Sequence, residues 1–187
     1  MKKDVSFPQT RPEQDQSTLW QLQKDLLRLA EDAIGPRDIK KIIYPPAFCE
    51  AVPHILHLNN RGGVGAVLST NSKNYWYTAV YELAHETIHL LDPVEGYTNW
   101  LEEGVAVAFS LHAQDYFEME KFYTPDLVYE EAFRLVMELP GAPFTIPKMI
   151  RSKVGALSSI TTETLLMVAP NHPLEKLKKL CSTCIPN

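Results

Sequence analysis

No apolar run in this 187-residue chain approaches the roughly 20 residues a helix needs to cross a bilayer. The first sixteen residues carry Lys2 and Lys3 and then charged and turn-forming residues, where a secretory signal would place an apolar stretch. The expectation is a soluble, cytoplasmic protein with no membrane span. Lysine and arginine nowhere cluster, and the formal net charge is -5, so the concentrated positive field of a nucleic-acid surface is lacking. Lys176, Lys178 and Lys179 come nearest; they fall in a short amphipathic stretch, Pro173 to Leu180, that reads as a solvated helix face. Three cysteines, an odd number, argue against a disulfide scaffold and fit a reducing compartment. Cys181 and Cys184 have C-x-x-C spacing, but no second pair of ligands lies nearby, and ordinary thiols are expected. There is no internal repeat and no low-complexity segment.

What is present is enough apolar residue, 45%, for a substantial core. The expected organisation is a flexible stretch 1–16 and one domain over 17–187, with a catalytic core at about 39–139 and a helical extension at 140–187. Ser17 or Thr18 opens a helix whose apolar face is Leu19, Leu22, Leu26, Leu27, Leu29 and Ala30, closed by Gly35-Pro36. Three strands follow, Ile39 to Tyr44, His54 to Asn59 and Val64 to Thr70, with a hairpin turn at Asn59 to Gly63. The third is expected at the sheet edge, where its glycines would admit another backbone.

His85, Glu86, Thr87, Ile88 and His89 then spell H-E-x-x-H, a pattern that arises by chance in on the order of one such chain in a hundred. Trp76, Val80, Leu83, Ala84, Thr87, Ile88 and Leu91 recur around it at helical spacing, and neither Pro nor Gly interrupts Asn74 to Leu91. Residues four apart lie one turn above each other, so both imidazoles can meet one Zn²⁺. Glu86 then sits beside the open coordination position, where a carboxylate can take the proton of an acidified water. A third ligand is needed, and Trp100-Leu101-Glu102-Glu103-Gly104-Val105-Ala106 supplies candidates. Asp92-Pro93 ends the first helix, and Thr98 or Asn99 caps the next, with Asn99 and Glu102 spaced as a capping box. That occupies Glu102 and leaves Glu103 as the carboxylate expected to face the histidines, ahead of Glu102 and, further off, Glu95. Gly104, Ala106 and Ala108 are expected to let the second helix close on the first.

These motifs resemble the gluzincins, zinc peptidases in which H-E-x-x-H is followed by a glutamate on a second helix. Trp-Leu-Glu-Glu-Gly-Val-Ala is similar to the Asn-Glu-Gly-Phe-Ala segment of aminopeptidase-N-like enzymes, whose zinc-binding Glu maps onto Glu103. The short spacing suits compact, single-domain gluzincin-like peptidases. Tyr129 to Val136 is similar to the Tyr-x-Lys-Gly helix of that branch, and Tyr129 inherits its transition-state role, hydrogen bonding to an oxyanion. The likeness covers about Gly62 to Leu139. Within it, Gly62 to Ala66 lacks the Glu that in the Gly-x-Met-Glu-Asn strand motif holds the substrate amino terminus, Glu131 replaces the Lys of Tyr-x-Lys-Gly, and Val107 stands where thermolysin-like enzymes place an Asp. Aminopeptidase specificity is therefore not implied, and endopeptidase or dipeptide-releasing activity is equally open.

The implied fold is α+β and zincin-like, a small antiparallel sheet with the active-site helix above a mainly helical lower half: Ala113 to Phe122, Pro125 to Leu139 behind Thr124, Ile146 to Val154, Thr161 to Val168 and Pro173 to Leu180. The implied activity is zinc-dependent hydrolysis of a peptide or protein substrate. The rival is a zincin-fold module that binds metal or a protein without turnover, against which the intact Glu86 argues. His54 and His57, three apart on a strand, face opposite ways; His112 reads as helix surface, Glu82 as a paired or solvated carboxylate at the site face, and Tyr123 as the nearest substitute for Tyr129.

Overall fold

The computed structural model describes residues 7–123 and 126–185. Helix α1 spans Gln16–Ile34. Its cap is Asp15, not Ser17 or Thr18, because that carboxylate accepts the Thr18 N–H at 3.0 Å and both nearby hydroxyls. The helix stops at Gly35, whose φ of 105° other residues avoid. Ahead of it, Phe7 packs on the rings of Trp76 and Phe117, and the Trp76 indole donates to Thr10 O, so residues from position 7 on already contribute packing.

Strands β1 (Ile42–Phe48), β2 (His54–Leu58) and β3 (Gly63–Leu68) form one sheet in the order β1-β3-β2. The sheet is mixed: β2 is antiparallel to β3, but β1 is parallel to it. This corrects the all-antiparallel expectation, and it moves β3 from the edge to the centre, where all six of its residues are buried. β1 runs through Pro45 and Pro46 because it is an edge strand and its register breaks between Tyr44 and Ala47, so the prolines fall outside the ladder. The backbone that the hairpin glycines admit is β1 itself: a Cβ on Gly63 would lie 2.4 Å from Ile42 O.

Helix α2 (Trp76–Leu91) is buried from Thr78 onward and lies between β3, α1 and α3. Helix α3 (Trp100–Tyr116) absorbs the start of the helix expected at Ala113 to Phe122. It ends at Phe117, with Glu118 in a left-handed conformation, and Gln114 then ties down the loop by donating to Tyr77 O and Glu120 O and accepting from Phe122 N. Helix α4 (Leu127–Met137) is capped by Asp126, which accepts from Val128 N at 2.7 Å; Thr124 and Pro125 lie outside the described residues. Helices α5 (Thr145–Val154), α6 (Thr162–Val168) and α7 (Leu174–Cys181) follow. Among the described residues the fold is thus seven helices and one three-stranded sheet, compatible with α+β.

Gly104 does not serve the α2–α3 contact. A Cβ there would meet Ala132 O at 2.2 Å and Val136 Cγ2 at 2.5 Å, so its bare backbone is what seats α4 against α3. After α7 the chain turns back: Ser182 O accepts from Trp100 N at 3.1 Å, Cys184 N donates to Thr98 O at 2.9 Å, and Thr183 bridges Asn99. One apolar cluster runs from Leu19 to Cys184, so residues 140–185 share a core with the segment 39–139. No described helix is long and apolar enough to cross a membrane.

Candidate metal centre

His85 and His89 sit one turn apart on α2, their ring centroids 5.1 Å from each other. The first turn of α3 brings Glu103 opposite them. Its Oε2 lies 3.2 Å from His85 Nε2 and its Oε1 3.7 Å from His89 Nε2, and all three residues are at least nine-tenths buried. One ligand atom from each lies within 4.8 Å of the others, so the three could hold a metal. Two imidazoles and a carboxylate with a fourth position open suit zinc at 2.0–2.2 Å ligand distances. Among the described residues no other group of His, Cys, Asp and Glu assembles in this way.

Glu102 overturns its expected assignment. The backbone half of the capping box is present, with Asn99 Oδ1 accepting from Glu102 N at 2.9 Å. The side chain turns inward instead and meets His89 Nδ1 at 2.9 Å. Glu102 and Glu103, adjacent on the helix, therefore address the two nitrogens of one imidazole. A neutral His89 that donates Nδ1–H to Glu102 keeps its lone pair on Nε2, beside Glu103, which is the tautomer a metal ligand needs. Thr98 Oγ1 donates to Glu103 Oε1 at 2.6 Å and fixes that carboxylate. Asking what holds the second nitrogen of each histidine would have found Glu102 from the adjacent acidic pair. Glu95, by contrast, is exposed and accepts from Asn59 Nδ2.

The buried charges set one another's protonation. Burial pushes His89 down, but Glu103, Glu102 and Glu86 outweigh it and leave its affinity for a proton raised. Burial likewise pushes Glu103 up, and His89 and His85 more than offset that, so its carboxyl is held well below the usual range. Glu86 is raised, chiefly by burial and only partly countered by His89 and His85.

A cleft of about 600 Å³ opens beside this cluster and is walled by His85, Glu86 and Tyr129. The Tyr129 ring stands edge-on to His85, with centroids 5.2 Å apart. Burial raises its phenol, and Glu103 and Glu86 raise it further, so the hydroxyl stays protonated and can donate. Tyr123 is 60% exposed in the loop before α4.

No protein-family model, curated protein or solved structure matches the chain.

The remaining candidates fall away from the cleft or take ordinary roles. His54 Nδ1 pairs with Val52 O, His57 Nε2 with Val94 O, and His112 is exposed between Phe109 and Phe144. Cys181 and Cys184 are free thiols; burial, then Glu103, pushes Cys184 up to about 12, which disfavours a thiolate ligand. Lys178 pairs with Glu175, Lys176 with Glu138, and Lys179 lies 3.6 Å over the Trp100 ring.

Proposed function

We propose that the chain is a compact gluzincin-like zinc peptidase acting on a peptide or protein substrate. The observation that carries this reading is a buried His-His-Glu donor set whose intervening Glu86 stands on the wall of a substrate-sized cleft. His85, His89 and Glu103 would hold the zinc, which when bound supplies Lewis-acid polarisation of a carbonyl and acidifies water. Glu86 takes the proton of the attacking water and delivers it to the leaving amine, a shuttle suited to a carboxyl whose pKa is raised by burial. Tyr129 donates its phenolic hydrogen to the oxyanion that develops on the scissile carbonyl. Glu102 acts through His89, keeping its ring in the ligating tautomer.

A peptide library incubated with zinc-loaded protein, with Glu86→Gln as control, tests the proposal. Cleavage by the wild type and none by Glu86→Gln, with zinc content equal in both, is the expected result. Equal turnover by the two proteins would exclude Glu86 as the base. Bound zinc without turnover in the wild type would point instead to a metal-binding or interaction module.

A further inference from the structure

The cleft carries a second buried carboxylate that this chemistry leaves unused. Glu82 lies on α2 one turn before His85 and Glu86 and lines the same cleft, so its side chain starts about 5–6 Å from theirs on the shared face. It is 9% exposed. Ser69, where the chain leaves β3, fixes its orientation: the backbone N–H donates to Oε2 at 2.9 Å and the hydroxyl to Oε1 at 2.6 Å. Both donors are neutral, and a carboxylate has lone pairs for about four hydrogen bonds. No Lys or Arg stands among the described residues lining the cleft, whereas Glu50 sits exposed at its rim. Shielding a carboxylate from water is costly unless a cation stands beside it, and among the described residues no Lys or Arg pairs with Glu82. An arriving cation would supply that charge where water screens it least.

We infer that Glu82 is a specificity-determining residue that takes a cationic nitrogen of the substrate close to the bond being cut. The nitrogen is either the ammonium at the start of a peptide or the terminal ammonium or guanidinium of a Lys or Arg side chain. This rests on the peptidase reading above and deepens it. Ser69 orients the receiving carboxylate, and Glu50 adds to the negative field at the entrance.

The test uses a synthetic peptide pool in which lysine is the only basic residue, prepared with amino termini free or acetylated and lysines free or acetylated. Zinc-loaded wild type, Glu82→Gln and Ser69→Ala digest each version, and cleaved bonds are read by mass spectrometry. Retention of the same pools on immobilised Glu86→Gln and on Glu82→Gln/Glu86→Gln is measured in parallel. Blocking the recognised amine should lower wild-type cleavage and retention at least tenfold, and which acetylation does so identifies the source of the cation. Glu82→Gln should erase that dependence, and Ser69→Ala should weaken it. Equal handling of blocked and unblocked pools by the wild type, or a preference undiminished in Glu82→Gln, overturns the inference. If the wild type cleaves nothing, the peptidase reading falls and retention alone decides: a preference lost with Glu82 keeps the cation site, and no preference removes it. Should Glu82→Gln fail to melt cooperatively, Ser69→Ala takes its place, and an unchanged preference there is the refuting result.

Discussion

Replacing Glu102 by alanine should weaken zinc binding without touching a ligand. Its carboxylate is the acceptor at 2.9 Å from His89 Nδ1, in a pair of side chains that water scarcely reaches. Truncation leaves a buried N–H without a partner, a loss of about 1–3 kcal/mol, and frees the ring to turn or to change tautomer. Loss of an outer partner of a ligating histidine lowers metal affinity roughly 10- to 100-fold, or about 1.4–2.7 kcal/mol. Part of any fall in folding stability will come from elsewhere, because the carboxylate also faces the positive end of α3, a contribution of about 0.3–1 kcal/mol. Zinc affinity is therefore the discriminating quantity. Competition with a chelating dye should rank wild type above Glu102→Gln, whose amide oxygen can still accept from Nδ1–H, then Glu102→Ala, then Glu103→Ala. Glu102→Ala binding as tightly as wild type, with circular dichroism unchanged, would refute the role, as would a smaller loss in Glu103→Ala than in Glu102→Ala.

Wild type should carry about one zinc per chain and His85→Ala or Glu103→Ala almost none; metal analysis showing full zinc in Glu103→Ala would remove that ligand from the set. Tyr129→Phe should lower kcat roughly a hundredfold with KM little changed, whereas undiminished kcat would leave the oxyanion donor unassigned. Gly104→Ala drives a methyl against Ala132 O and Val136 and should cost about 1–3 kcal/mol in denaturant unfolding; an unchanged midpoint would mean that α3 and α4 are not in contact there. In the metal-free protein Glu103 titrates below its unfolded value, since His89 and His85 outweigh the raising effect of burial. Its contribution to stability is thus complete above the usual carboxylate range and is lost as pH falls through about 2. The melting temperature should fall on acidification from ~pH 5 to ~pH 3, and fall less in Glu103→Gln.

The convergence of His85, His89 and Glu103 was legible because helical geometry alone puts positions 85 and 89 on one face, and because Asn99 fixes the phase of the second helix. What the side chains reach across space was not. Glu102 fits a capping box by spacing, and only the approach of α2 shows that its carboxylate has a better partner in His89. Gly104 announced a close approach without saying to which helix. The central place of β3 had a signal, since Val64 to Leu68 is apolar without alternation, the mark of a strand covered on both faces. The continuation of β1 beyond Tyr44 was hidden by Pro45 and Pro46, which lower strand propensity at a bulged edge strand that tolerates them.

The clasp of residues 182–184 on Thr98, Asn99 and Trp100 bears on when the candidate site is assembled. Thr98 holds Glu103, and Asn99 caps the helix that presents both acidic residues. A nascent chain that has been made only as far as α6 already contains the motif, the candidate third ligand and Tyr129, yet the turn before Glu103 still lacks the bridge to Thr183. Synthesis thus runs well past the last candidate ligand residue before the segment that steadies the turn beside it emerges. Fragments that end short of Ser182 would possess these side chains without the backbone bonds that steady the turn before Glu103.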